Sequence, residues 1–167
     1  DMTGGLPAFD VVGLPDTAVK ESRDRVRAAL KNCGYEFPVQ RITANLAPAD
    51  VKKSGPIYDL PILLGILQAS GQLKASLDSS VFLGELSLGG EVRRVSGVLP
   101  MVLRAKRLGY QSIFVPRDNA LEGSVVRGIR VYGVSCLNEL LSFLTGASKL
   151  EPIVTSVSSL LTSDPLP

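Results

Sequence analysis

The stretch Asp59-Leu-Pro-Ile-Leu-Leu-Gly-Ile-Leu-Gln-Ala-Ser-Gly71 constrains the fold more than any other part of the chain. At helical spacing Leu60, Ile62, Leu63, Leu64, Ile66 and Leu67 fall on nearly every face, so this helix has to be covered on several sides. Asp59 is placed to cap it, and Pro61 is acceptable in a first turn, where N–H groups lack partners anyway. Gly65 costs about 1 kcal/mol against alanine, a cost that a close backbone approach would explain. Ahead of the helix lies a turn-rich basic loop containing Pro48, Lys52, Lys53, Ser54, Gly55 and Pro56. A helix opening from such a loop offers unpaired N–H groups and a partial positive charge, a common setting for chemistry.

The chain around this helix has 167 residues, 45% of them hydrophobic, which supports one core and is short for two ordinary domains. A net charge of +2 is mild basicity and names no partner. There is no histidine, and Cys33 and Cys136 are the only cysteines. His-based triads and four-ligand Cys/His zinc sites are therefore excluded. Two unpatterned cysteines suit a reducing compartment, and no apolar run of about 18 residues or signal pattern is present. The expectation is a cytoplasmic protein with no membrane partner.

Along the chain, Phe9, Val11 and Val12 form a short strand after an abrupt start. Asp16 opens a helix to about Cys33, with Val19, Val26, Ala29, Leu30 and Cys33 inward and Gly34 as its stop. Its other face carries Lys20, Arg23, Arg27 and Lys31 and reads as a solvated surface. Phe37 to Leu46 alternates as a half-buried strand. Val81 to Leu88 and Glu91 to Val95 read as strands joined through Gly89-Gly90. A helix from Ser96 or Gly97, held in the core by Val98, Val102, Leu103 and Leu108, ends at Gly109. Strands Ile113 to Val115 and Ile129 to Tyr132 flank a short helix from Ala120 to Val126, and Leu137 to Leu144 is a helix stopped by Gly146. Residues 147–167, rich in Ser, Thr and Pro, read as a linker. Strands alternating with helices, plus one hairpin, predict an α/β fold: a mixed sheet with packed helices. No GxxxxGK[ST] loop occurs, so a nucleotide site is not expected.

Three segments carry more than pattern: GLPAFDVVGLPDTAVKESRDRVRAAL, NLAPADVKKSGPIYDLPILLGIL and GELSLGGEVRRVSGVLPMVLRAKRLGYQSIFVP. Together they closely resemble the N-terminal domain of the magnesium-chelatase-like AAA+ ATPases of the bacterial competence (ComM, YifB) type, over Gly5 to about Gly146. The resemblance implies a domain similar to the proteolytic domain of Lon, spanning residues 1–146, with a first strand or two missing ahead of it. Residues 147–167 would then lead toward an AAA+ domain. It also implies hexameric rings and DNA branch migration in natural transformation, with the AAA+ domain and neighbouring subunits as partners. ATP and Mg would belong to that ATPase domain, and no cofactor or metal is expected in this fragment.

Lon-type domains cleave peptides with a serine nucleophile and a lysine base that desolvation keeps neutral. By the resemblance, the serine follows a Gly-Pro at the entrance to the central helix, where this chain has Gly55-Pro56-Ile57. The lysine ends a Gly-Gly-Leu-Lys run, matched here by Ser96-Gly97-Val98-Leu99. Ile57 and Leu99 thus hold the two dyad positions. An alkyl side chain can neither attack a carbonyl nor carry a proton, so the fragment is not expected to be an enzyme. A residual peptidase would need Ser54 as nucleophile with Lys52, Lys53 or another lysine as base. Ser54 beside Gly55-Pro56 reads as a turn hydroxyl, and adjacent solvated lysines stay protonated.

Lys52, Lys53, Arg93, Arg94, Arg104 and Arg107, with Lys106 and Arg127, are candidate contacts for DNA or a neighbouring subunit. Phosphate contacts want such clustered cations. The plainer reading is a surface balanced by Glu85, Glu91, Asp118 and Glu122, and few aromatics are available for stacking on bases.

Overall fold

A computed structural model describes residues 2–3, 9–12, 16–37, 41–45 and 55–154, with the backbone alone for those up to 19, for 41–45 and for 55. The order is β1 (Met2–Thr3), β2 (Phe9–Val12), α1 (Asp16–Asn32), β3 (Arg41–Asn45), a 3-10 turn (Gly55–Tyr58) running into α2 (Asp59–Ala69), β4 (Ser80–Phe82), β5 (Glu85–Leu86), β6 (Val92–Arg93), α3 (Val98–Arg107), β7 (Ser112–Pro116), α4 (Arg117–Gly123), β8 (Arg130–Val134) and α5 (Leu137–Leu144). The fold is α/β with a parallel sheet and packed helices, as the alternation of elements predicts. β1 and β2 flank β3, antiparallel and parallel respectively. β4, β7 and β8 form an all-parallel sheet with β7 in the middle.

Each face of that parallel sheet has its own cover. Phe82, Phe114 and Tyr132 stack across the three strands with ring centroids 4.7 and 4.6 Å apart, and Phe143 of α5 closes over them. On the opposite face α3 and α4 lie against Val131 and Gly133. A Cβ on Gly133 would meet Ala120 Cβ at 3.0 Å, and one on Gly123 would meet Val102 and Val131 at 3.3 and 3.4 Å. Small residues there let α4 approach the sheet closely.

α2 is the buried helix its sequence demands: Asp59, Leu60, Ile62, Leu63, Leu64, Ile66 and Leu67 are all inside, with α1 packed alongside. The stops at Gly34, Gly109 and Gly146 are real. Each has positive φ, and the following N–H reaches back five residues, as from Tyr110 to the Ala105 carbonyl at 3.1 Å.

Several expectations are corrected. Among the described residues nothing outside the helix itself lies within 4 Å of a Cβ built on Gly65, so none of them makes the close backbone approach expected there. Val81 to Leu88 is not one strand. It breaks at Leu83-Gly84, where the chain leaves the parallel sheet and β5 begins a hairpin with β6. That hairpin turns over Ser87 to Gly90, with the Gly90 N–H donating to the Ser87 carbonyl at 3.0 Å. α4 begins at Arg117, three residues before the expected Ala120, because Pro116 supplies its N-cap and Asn119 turns inward. In α3 the buried set is Val98, Met101, Val102 and Ala105; Leu103 and Leu108 are each 45% exposed.

Candidate functional site

The two positions that the Lon resemblance assigns to nucleophile and base lie toward the C-terminal ends of the parallel strands, where open α/β sheets hold ligands. Ile57 sits in the 3-10 turn. Its carbonyl accepts the Gly84 N–H at 2.8 Å, and the Gly84 carbonyl accepts the Leu60 N–H at 3.1 Å. The entrance to α2 is thereby stitched to the residue just past β4. Only glycine fits there, since a Cβ on Gly84 would lie 2.6 Å from Val92 Cγ1. Leu99 is in the first turn of α3. Both side chains are half-buried and packed against the core.

Beside Ile57, Asp59 does not cap α2. The N-cap is Tyr58, whose side chain makes no capping hydrogen bond to α2, and the Asp59 carboxylate turns away, fully buried. One of its oxygens accepts from Ser22 Oγ at 2.8 Å and Arg25 Nη2 at 2.9 Å; the other accepts from Arg25 Nε at 2.6 Å and the Leu86 N–H at 3.1 Å. Four donors saturate the carboxylate's lone pairs, which leaves no acceptor for a substrate proton. The hydrogen bonds that Arg25 donates to Asp59 raise its pKa above the usual value, against an opposing push from burial. Burial raises the Tyr58 hydroxyl as well. The group ties α1, α2 and β5 together.

A second buried polar side chain fixes the approach to Leu99. The Asn119 amide accepts the Val95 N–H at 3.0 Å and donates to the Val95 carbonyl at 2.7 Å and to Glu122 Oε1 at 2.8 Å. This two-point clamp holds the chain just before Gly97 (φ 81), where α3 starts. Ser22, Arg25 and Asn119 went unnoticed in the sequence. Ser22 and Arg25 did leave a signal, because they lie on the side of α1 that carries Val26 and Ala29 rather than on the basic face.

Among the described residues the basic candidates fall into two groups. Arg93 and Arg94 are exposed on and after β6, at the hairpin end, and Arg93 pairs in register with Glu85. Arg104 and Arg107 are in the last turn of α3, beyond which the chain enters the start of β7. The helix between the two pairs is about 15 Å long at 1.5 Å per residue. Arg107 is exposed; Arg104 is half-buried and not free. Lys52, Lys53 and Ser54 lie outside the described residues. Among the described residues no group of three or more Cys, Asp or Glu could hold a metal ion, and no helix is long and apolar enough to cross a membrane.

Comparison with known proteins adds a family match and several relatives. A family model described as subunit ChlI of Mg-chelatase matches residues 1–119. The chain is 44% identical over 157 residues to competence protein ComM of Haemophilus influenzae, covering 93% of this chain and 30% of that protein. It is 45% identical over 148 residues to the uncharacterised protein YifB of Escherichia coli, covering 88% of this chain and 29% of the relative. DNA repair protein RadA of Listeria monocytogenes is 33% identical over 95 residues, covering 57% of this chain and 21% of RadA. The chain thus spans under a third of the length of these curated relatives.

Proposed function

The chain belongs to the family described as subunit ChlI of Mg-chelatase, an AAA+ ATPase family, and is of the ComM and YifB type; from that premise we propose that it is a non-catalytic Lon-like domain that supports ring assembly and binds DNA weakly and without sequence preference. The carrying observation is the pair Ile57 and Leu99. Alkyl side chains stand where the resemblance requires a nucleophile and a base, both packed against the core. The nearest carboxylate to Ile57 in the chain, Asp59, is saturated by Ser22, Arg25 and Leu86. A Ser-Lys dyad at these two positions has no groups to run on.

The ATP and Mg chemistry of the family is assigned to the part of its members that lies outside these residues, and hydrolysis there would make the whole protein an ATPase. The α2 N-terminus is a poor phosphate cradle, because the Leu60 N–H is taken by a carbonyl and a carboxylate occupies the first turn. Hexamer formation, a cytoplasmic location and a role in branch migration during natural transformation belong to the same reading. Support for its DNA part comes from the printed name of RadA and from the exposed cations at both ends of α3.

Titration of the purified chain into fluorescently labelled duplex and single-stranded DNA at rising salt tests that part. The expected result is micromolar or weaker binding whose logarithm falls with the logarithm of salt, by about 0.7 to 0.9 per neutralised phosphate. No binding at low salt, or binding indifferent to salt, would remove the DNA role and leave ring assembly standing.

A further inference from the structure

At the end of the parallel sheet opposite Ile57, the turn after α3 and the loop before β8 enclose an open cleft of about 650 Å³. Its polar lining is Lys106, Tyr110, Gln111 and Arg130, with Gly109 and Gly128 in the two turns and no carboxylate among the lining residues. We infer that this cleft, rather than the hairpin arginines, is the track on which the domain holds a nucleic-acid phosphodiester backbone. The inference rests on the DNA part of the proposed function and gives it a location.

The first support is how Lys106 is placed. Gly128 has φ 89, which favours glycine, and a Cβ there would meet Lys106 Cε at 3.0 Å and Nζ at 3.4 Å. The bare glycine leaves room for the lysine stem to cross the loop before β8, with Lys106 lining the cleft. Holding a long side chain in advance reduces the ordering cost of binding. Gly109, with φ 91, turns the chain sharply enough after α3 for Tyr110 and Gln111 to form the facing wall.

The second support is charge. Lys106, Arg107, Arg127 and Arg130 are all exposed and gather at this end of the fold; among the described residues none has a carboxylate within ion-pair distance. Acidic residues at this end are Asp78, in the turn before β4 next to the Ser79 carbonyl that accepts the Gln111 N–H, and Glu151, two residues before the Ile153 N–H that donates to the Val131 carbonyl; neither is in an ion pair among the described residues. Arg93 and Arg94 at the hairpin have no ion pair among the described residues either, but they have acidic neighbours: Arg93 stands opposite Glu85 in the ladder, and Glu91 follows the turn. Two cations lining an open cleft, with Arg107 and Arg127 next to its lining residues in the chain, suit a polyanion passing through more than a small molecule enclosed on all sides. Phosphate contacts of this kind carry no sequence information, in keeping with nonspecific binding.

The test compares Lys106→Gln/Arg130→Gln with Arg93→Gln/Arg94→Gln in the same fluorescence-anisotropy titration, with thermal melts to confirm that each variant is folded. The expected result is about tenfold or greater loss for the cleft pair and a salt slope shallower by about 2, one for each cation, with less than about twofold change for the hairpin pair. Loss confined to the hairpin pair would overturn the cleft assignment and leave DNA binding in place. Absence of binding by the unaltered chain would overturn both. An arm with inorganic phosphate, matched in ionic strength to chloride, separates a track from a discrete anion pocket: displacement by phosphate beyond the chloride control would also overturn the polymer assignment.

Discussion

Replacing Asp59 with alanine is expected to cost about 3–5 kcal/mol, because it leaves the partly buried Arg25 guanidinium, the Ser22 hydroxyl and the Leu86 N–H without their common acceptor. Removing one partner of a buried ion pair is far costlier than the pair is worth, since the surviving charge stays desolvated. With urea slopes of about 2 kcal/mol/M, the unfolding midpoint falls by about 2 M. A paired change, Arg25→Met with Asp59→Leu, removes both charges and fills the space, so its loss is expected to be clearly smaller. Equal losses for the single and paired variants would mean that Asp59 acts through packing alone. The effect is large because α1, α2 and β5, which frame the Ile57 position, meet at this one carboxylate.

Phe114→Ala is the other large effect. Phe114 is 3% exposed and touches Phe82, Tyr132 and Phe143, so it joins all three parallel strands to α5. Truncating a buried phenylalanine costs about 3–5 kcal/mol through lost transfer energy and the cavity left behind. In a chain of this size the thermal midpoint drops by about 10 °C. Phe114→Leu, which refills most of the volume, is expected to recover at least half of the loss. A scanning-calorimetry shift of a degree or two for the alanine variant would show that the aromatic stack carries little of the stability.

What could be read in advance followed how local each signal was. The all-round apolarity of α2 and the glycine stops at Gly34, Gly109 and Gly146 are written in adjacent residues, and they appear in the structure. The break in Val81 to Leu88 is not local. Alternation runs straight through it, and the chain turns because Gly84 is caught between Ile57 and Leu60, more than twenty residues earlier. Asp59 has the same difficulty: next to a helix start it looks like a cap, and its true partners on α1 are 34 and 37 residues away. Residue type alone points Leu103 and Leu108 inward, whereas the spacing set by Val98 and Val102 selects Met101 and Ala105. The dyad positions came from resemblance and not from pattern, since nothing in an isoleucine or a leucine announces a lost catalyst. The cleft around Lys106 was invisible for another reason: its two walls are joined only by folding, across the whole of β7 and α4.

Incubation of the purified chain with unfolded casein tests most directly whether Ile57 and Leu99 leave no catalyst behind. The prediction is no cleavage above a protein-free control over hours, with Ser54→Ala indistinguishable from the unaltered chain. Steady cleavage that Ser54→Ala abolishes would contradict it and restore a working peptidase at the mouth of α2.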